Sequence, residues 1–159
     1  MLTILLSVAS VLLLLLIVGL LLPKEREFVK TANLKSPPER VFKIVTDVEN
    51  QTSWRNDIQE IKVIDQYTWT ETPKKGTPIT FKTKQKVENQ IFEIEIIEPK
   101  SFNGYWVGTF EQIPTGTKVH FKEVVVIKNP FFRVLSAVFV DLDQTMEDYM
   151  TNLKTHLGN

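Results

Sequence analysis

An uncharged apolar segment from Leu2 to Leu22 constrains the chain more than any other feature. Of its 21 residues, 17 are Leu, Ile, Val or Ala, and the other four are Thr, Ser or Gly. About 20 apolar residues, each rising about 1.5 Å in a helix, span a hydrocarbon core of roughly 30 Å. The segment predicts a transmembrane anchor over residues 1–23, followed by one domain over residues 24–159.

A cleaved secretory signal is the alternative interpretation of this segment. Such signals have a basic region, an apolar core of about 7–15 residues and a small-x-small cleavage site. No Lys or Arg precedes the apolar run, which is too long and ends in Leu20-Leu21-Leu22-Pro23 without an Ala-x-Ala pattern. The single Gly19, with no small-xxx-small seam, favours a tether that faces lipid over a face for dimerisation.

The residues after the anchor predict its orientation. Lys and Arg are retained on the cytoplasmic side of a membrane, and all of the nearby basic side chains follow the span: Lys24, Arg26, Lys30 and Lys35. We therefore predict a single-pass protein of the cell membrane whose domain faces the cytoplasm.

Composition and motifs exclude several classes of function. The chain has 19 basic and 19 acidic residues, so a neutral domain offers no electrostatic basis for binding nucleic acid. It has no cysteine, which excludes disulfides, thiolate metal sites and cysteine nucleophiles. Asp141 and Asp143 would point about 200° apart on a helix, which argues against a metal site. Without a serine-hydrolase, zinc or nucleotide motif, we predict no catalytic residue, metal or cofactor.

The domain is predicted to be α+β. A strand over 28–34 is followed by Ser36-Pro37-Pro38-Glu39, where Ser36 is expected to cap a helix and 47–53 to hold a short second helix. From Ile58 the apolar period changes from about 3.6 to 2, which indicates half-buried strands. The six predicted strands are 58–65, 67–72, 78–87, 90–98, 101–111 and 117–127.

The C-terminal segment predicts one long helix. Asn129-Pro130 marks its start, and apolar residues then recur every three or four positions from Phe131 to Leu157, with Gly158 as a C-cap. A curved antiparallel sheet of about seven strands would wrap around this helix.

This order of elements resembles the helix-grip fold of the START-like (SRPBCC) superfamily, which includes polyketide cyclase/dehydrase-like and birch-pollen-allergen-like proteins. The segments that carry the resemblance are Ser36-Pro37-Pro38-Glu39-Arg40-Val41-Phe42, Thr46-Asp47, Trp54-Arg55-Asn56-Asp57-Ile58, Gly116-Thr117-x-Val119-x-Phe121 and Tyr149-Met150-x-Asn152-Leu153-Lys154. The resemblance implies a cavity for an apolar ligand between the sheet and the C-terminal helix.

Strand alternation and the apolar stripe of the C-terminal helix then select the side chains expected to line that cavity. The same side chains could instead form a packed core. A register error of one residue would move all the selected side chains of a strand to its opposite face. The predicted ligand-binding residues are Phe81, Phe92, Ile94, Trp106, Phe110, Phe121, Glu123, Val138, Leu142 and Met146.

Glu123 is the polar exception on this inner face. A buried carboxylate must be paired, protonated or close to water, because an isolated charge is costly to bury. Three roles remain open: a structural partner of Arg55 or a tyrosine, a polar contact for a ligand head group, or a general base.

The one cluster of like charges consists of Lys74, Lys75, Lys82, Lys84 and Lys86. The last three alternate with Phe81 and are expected on the outer face of the sheet. They either protect a strand against edge pairing or contact anionic lipid at the membrane surface.

These features predict a membrane-tethered protein that binds a lipid or another apolar small molecule. The first alternative is a cyclase/dehydratase-like enzyme that uses Glu123 together with Tyr105 or Arg55. The second is a structural factor of a membrane complex, with a filled core. The sequence does not predict the ligand or the oligomeric state.

Overall fold

The computed structural model of the protein describes residues 1–158. An N-terminal helix is followed by one strand, two short helices, six strands and two C-terminal helices. In chain order these are α1 (Leu2–Leu21), β1 (Glu25–Leu34), α2 (Pro38–Thr46), a 3₁₀ helix (Val48–Ser53), β2 (Ile58–Asp65), β3 (Thr68–Pro73), β4 (Ile79–Val87), β5 (Ile91–Glu98), β6 (Asn103–Ile113), β7 (Gly116–Val126), α3 (Pro130–Phe139) and α4 (Leu142–Leu157).

The seven strands form one curved antiparallel sheet, as the sequence predicts. Their order is β1-β7-β6-β5-β4-β3-β2, so β1 and β2 lie at opposite edges, with α2 and the 3₁₀ helix between them in the chain. The helix-grip prediction is therefore confirmed. Helix α4 packs on the concave face, where Met146, Met150, Leu153 and Leu157 join the buried core.

Helix α1 is the one helix among residues 1–158 that is long and apolar enough to cross a membrane. A helix of this kind can be a membrane span or a signal sequence. One face of α1 is covered, because Leu15 and Leu16 are partly buried and Gly19 is fully buried against Pro130 at the start of α3. The C-terminal end of α1 therefore packs on the domain through one face.

The prediction of one uninterrupted C-terminal helix is also wrong. The segment breaks at Val140 and Asp141 into α3 and α4. Asp141 ends the first helix by capping the second, because its Oδ1 accepts a hydrogen bond from the backbone N–H of Gln144 at 3.0 Å. An acidic residue followed three positions later by Gln is an N-terminal helix signal, and the apolar periodicity across the break conceals it.

Helix α2 begins one residue later than the sequence predicts. Pro37 occupies the N-cap position and makes no side-chain cap. Ser36 is instead buried, and its carbonyl oxygen accepts a hydrogen bond from Thr117 Oγ1 at 2.6 Å. This bond joins the end of β1 to the start of β7, where a backbone acceptor would otherwise be buried without a partner.

The β6–β7 hairpin depends on Gly116. Its φ of +137° is a conformation that side chains rarely adopt, and a Cβ there would collide with the backbone of Leu34. Gly158 also has a positive φ, +74°, but a Cβ added there would have no other atom within 4 Å.

These two glycines provide a matched test of the hairpin. We expect Gly158→Ala to lower the free energy of unfolding by about 1 kcal/mol, the cost of the left-handed conformation alone. Gly116→Ala adds a backbone collision and should cost at least about 3 kcal/mol. Urea unfolding in detergent measures both values, and equal costs would contradict the proposed role of Gly116.

Candidate functional site: a cavity under the C-terminal helix

A cavity of about 200 Å³ lies between the concave face of the sheet and the first turns of α4. The side chains around it come from α2, the 3₁₀ helix and the loop after it, strands β2 to β7, and α4. They are Val45, Gln51, Arg55, Asp57, Ile58, Trp69, Glu71, Pro73, Ile79, Phe81, Phe92, Ile94, Trp106, Glu123, Leu142, Thr145, Met146 and Tyr149. The core is therefore not completely filled, which argues against the structural alternative.

Most of the predicted ligand-binding residues line this cavity. Seven of the ten do so: Phe81, Phe92, Ile94, Trp106, Glu123, Leu142 and Met146. Phe110 and Phe121 point to the same face but lie deeper in the packed core, with exposures of 5% and 1%. Val138 lies on α3, outside the cavity, and is 68% exposed. The helix break explains why Val138 lies outside the cavity, because α3 does not pack over the sheet as α4 does.

One end of the cavity carries a hydrogen-bond network around Arg55. Its Nη1 donates to Gln51 Oε1 and to Glu71 Oε2, each at 2.9 Å. Its Nε and Nη2 donate to the two carboxylate oxygens of Asp57 at 3.2 and 2.7 Å. Burial disfavours the charge on Arg55, but Glu71 and Asp57 outweigh this effect and raise the pKa of the guanidinium. Arg55 therefore stays charged.

The partners of Arg55 are themselves held in place. Trp69 Nε1 donates to Glu71 Oε1 at 3.1 Å, and Gln51 Nε2 donates to the carbonyl of Val45 at 2.8 Å. Tyr149 of α4 presents its ring to the guanidinium, with 5.3 Å between Cζ and the ring centroid. The network thus connects the 3₁₀ helix, β3 and α4.

Glu123 lies on β7 opposite Trp106 of β6 and faces the cavity. Its carboxyl group makes no hydrogen bond within residues 1–158. Burial raises the pKa of Glu123 to about 7, an effect that the attraction of Arg55 opposes and the repulsion of Glu71 reinforces. Of the three carboxyl groups near this guanidinium, Glu123 is the one that makes no hydrogen bond within residues 1–158.

Sequence reasoning missed several residues at the polar end. Trp69 and Glu71 alternate correctly on the predicted strand 67–72, so the period-2 pattern could have placed both on the inner face. Asp57 and Gln51 lie in irregular or 3₁₀ structure, where no periodicity indicates direction. Tyr149 is on the apolar stripe of α4, and its pKa is raised by burial beside the network. Tyr105 pairs with the outward-facing Glu95, so it does not point into the cavity.

The five predicted membrane-surface lysines do not share one face. The β4–β5 pairing shifts between Thr83 and Gln85, and this bulge changes the alternation along β4. Lys84 stays on the outer face and pairs with Glu93 at 2.9 Å. Lys86 instead lies on the concave side, with Nζ 5.8 Å from the ring centroid of Phe42. The prediction that Lys86 lies on the outer face is therefore wrong.

The remaining three lysines lie in two different places. Lys82 lies opposite Glu95 of β5 on the outer face. Lys74 and Lys75 lie in the turn between β3 and β4, whose ends Pro73 and Ile79 both line the cavity. Lys74 and Lys75 therefore lie at the end of the sheet where these two strands border the cavity.

No group of three or more acidic or histidine side chains within residues 1–158 could hold a metal ion. Asp143 and Glu147 of α4 instead pair with Lys30 of β1, each at 3.1 Å. These two bonds fix the first turns of α4, which form one wall of the cavity, to the edge strand.

Comparison with known proteins places the chain in a family. Residues 25–158 match the sequence model of the family described as "Polyketide cyclase / dehydrase and lipid transport". The chain belongs to this family. Family and fold together indicate a START/polyketide cyclase-like domain that binds hydrophobic ligands. A search of curated proteins found no significant match.

Solved structures with low sequence identity share the fold. An aromatase/cyclase from Streptomyces sp. R1128 is 9% identical, with a TM-score of 0.69 over 84% of this chain and 94% of that one. A START superfamily protein from Mycobacterium smegmatis is 12% identical, with a TM-score of 0.64 over 83% and 97%. The protein Ara h 8.0201 is 14% identical, with a TM-score of 0.64 over 84% and 97%.

The raised pKa of Glu123 predicts a pH dependence of stability. The folded protein holds this proton between the ordinary value of 4.5 and about 7, whereas the unfolded chain releases it. The stabilisation is complete below pH 4.5 and is lost as the pH rises through 7. Glu123→Gln, which imitates the protonated group, should raise the free energy of unfolding at pH 8 by about 2 kcal/mol relative to wild type. This figure already allows for the partial exposure of Glu123 to solvent.

Urea unfolding between pH 4 and pH 8 measures this difference. Glu111→Gln is the matched control, because Glu111 is exposed on the neighbouring strand β6. We expect the control to follow the wild-type profile. If wild type and Glu123→Gln change in parallel across this range, Glu123 does not keep a proton in the folded protein.

Proposed function

We propose that the protein is a membrane-tethered binding protein for a small apolar molecule that carries a neutral polar group. The binding site is the cavity between the sheet and α4. One observation carries this proposal: Glu123 presents a carboxyl group without a hydrogen-bond partner in residues 1–158 to a largely apolar cavity. A ligand hydroxyl or carbonyl group at this point would supply the missing hydrogen bond.

The size of the cavity limits the ligand. A volume of about 200 Å³ is somewhat larger than an apolar cavity of roughly 150 Å³ that binds benzene. It is smaller than the roughly 300–1,000 Å³ of most drug-sized sites. One or two rings, or a short segment of an acyl chain, match this volume. A whole membrane lipid would require α4 to move away from the sheet.

The charge of the polar end limits the ligand further. Four of the five N–H groups of Arg55 donate to Gln51, Asp57 and Glu71. An anionic head group would therefore find a cation whose charge is already offset by acidic partners, and it would meet the carboxylates of Asp57 and Glu71. The arrangement favours a neutral group such as a phenol, an alcohol or a ketone over a fatty-acid carboxylate.

The second part of the proposal is that α1 tethers the domain to a membrane. Helix α1 has the length and composition of a span, and only Leu22, Pro23 and Lys24 separate it from β1. So short a connection holds the cavity close to the lipid surface. The basic residues after the span favour a domain on the cytoplasmic side. In this position Lys74 and Lys75 beside the cavity could contact anionic lipid.

Binding of 1-naphthol to the full-length protein in lipid nanodiscs tests the proposal. We expect saturable binding with one site per chain, measured by titration calorimetry. Thr145→Trp places a large ring at the cavity opening, where Thr145 is exposed but borders the cavity. This variant should weaken binding at least about tenfold, which corresponds to about 1.4 kcal/mol.

Two controls make this result specific. Thr151→Trp introduces the same side chain at an exposed position of α4 away from the cavity, and it should bind 1-naphthol as wild type does. The anion 1-naphthoate should bind at least about tenfold more weakly than 1-naphthol, because carboxylates surround the polar end. Equal heats for wild type and Thr145→Trp would show that the probe only partitions into lipid, and would refute the cavity as a binding site.

Acid–base catalysis is a second candidate function, and a specific observation favours it. A carboxyl group with a pKa of about 7 can both give and accept a proton at neutral pH. Arg55 and Tyr149 lie in the same cavity. Among the solved structures that share the fold, one is named an aromatase/cyclase and another a di-domain ARO/CYC.

Molecules that copurify with the protein distinguish the two candidates. Mass spectrometry would compare the small molecules released from wild type and from Glu123→Gln, both purified from membranes in mild detergent. If the protein only binds, we expect the same compound in both samples, in smaller amount from the variant. A different compound in the variant, which cannot transfer the proton, would contradict simple binding and support catalysis.

A further inference from the structure

Helix α3 presents an apolar surface that the fold does not use. Five of its large side chains are exposed, and the residue after it extends the same surface. They are Phe131, Phe132, Leu135, Val138, Phe139 and Val140, with exposures of 38% to 78%. A continuous apolar surface of this kind on a small domain marks a site of contact with a partner or a membrane.

The single charge of α3 is turned away from this surface. Arg133 is 5% exposed, and its guanidinium donates to four backbone carbonyl groups. Nη1 reaches Gly19 at 2.7 Å and Leu22 at 3.2 Å, Nε reaches Ile127 at 2.9 Å, and Nη2 reaches Lys128 at 2.8 Å. Arg133 thus satisfies two carbonyls at the C-terminal end of α1, where a cation is favourable.

The position of α3 along α1 identifies what covers the apolar surface. Helix α3 is the element that packs on α1, and the partly covered residues of α1 begin at Leu15. Leu15 lies six residues before the end of α1, or about 9 Å along the helix axis. If lipid surrounds α1 up to Leu21, it must also surround the part of α3 that lies beside these turns.

Charge along the junction agrees with this depth. A second cavity, of about 210 Å³, lies between α3 and the start of β1, and the residues around it include Lys24, Arg26 and Arg133 but no acidic side chain. Nη1 of Arg26 is buried there without a hydrogen-bond partner. Basic side chains at the end of a span suit the phosphate level of a membrane.

We propose that α3 lies within the membrane leaflet as a second, non-spanning element beside the last two turns of α1. This inference rests on the proposed membrane tether and adds a lipid contact to it. Because Leu142 of α4 follows Phe139 by only three residues and lines the first cavity, an embedded α3 places the cavity opening at the lipid surface. An apolar ligand then passes between leaflet and cavity without crossing water.

The absence of cysteine from the chain allows a direct test. Single-cysteine variants carry an environment-sensitive fluorophore, and the full-length protein is reconstituted in phosphatidylcholine/phosphatidylglycerol vesicles that contain lipids spin-labelled on the acyl chain. Phe139→Cys reports on α3. Leu14→Cys reports on α1, and Val63→Cys reports on β2 at the opposite edge of the sheet. All three side chains are exposed, so the core is unchanged.

We expect strong quenching at position 14, and at position 139 at least about half of that loss, as for a helix at interfacial depth. Position 63 should not be quenched. Quenching at 14 without quenching at 139 would overturn the α3 proposal and leave the anchor intact, and a second copy or another protein would then cover the surface. Absence of quenching at 14 would overturn the membrane tether itself, and the α3 proposal with it.

A charged variant shows whether the side chains of α3, and not the fluorophore, produce the contact with lipid. Val138→Glu/Phe139→Glu changes two exposed side chains, and should reduce quenching of a fluorophore at Leu135→Cys at least about twofold, because carboxylates are costly in the hydrocarbon region. Val138→Ala/Phe139→Ala is the matched control and should retain most of the quenching. Equal quenching in both would overturn the proposal.

Discussion

The polar end of the cavity depends on the hydrogen bonds of the buried Arg55 guanidinium. A buried charge is stable only when its donors are satisfied. Gln51 and Asp57 lie close to Arg55 in the chain, whereas Glu71 and the ring of Tyr149 come from distant segments. These two distant partners reach Arg55 only when β3 has joined the sheet and α4 has docked. Arg55 attracts the charge of Glu123 but forms no hydrogen bond with it. One carboxyl group with a raised pKa is therefore available for ligand recognition or proton transfer.

The two C-terminal helices pack on different parts of the molecule, although the sequence predicts a single helix. Helix α4 is amphipathic and closes the cavity with Leu142, Met146 and Tyr149. Helix α3 is apolar on its outer side and packs on α1 through Gly19 and Arg133. The break between the two helices separates their surfaces, which allows one to face the core while the other faces away from the domain.

The pattern of apolar residues predicted much of the fold. Period-2 alternation identified the six strands after Ile58 and placed Trp106 and Glu123 on the concave face, because every second side chain of a strand shares a face. The pattern failed where the backbone departs from regular geometry. The bulge in β4 moved Lys86 to the concave side, and the helix break moved Val138 out of the cavity. The polar partners of Arg55 were not predicted, since they lie in irregular segments or come from distant strands.

The sequence by itself determined that this protein has one uncharged segment long enough to cross a membrane and a domain of seven strands followed by a helical segment. Both are consequences of local hydrophobic periodicity, which needs no knowledge of distant contacts. Only the tertiary structure decided which groups surround Glu123, how large the cavity is, and that α3 packs on α1. Those properties depend on side chains far apart in the chain, whose distances are set by the curvature of the sheet and the docking of the helices.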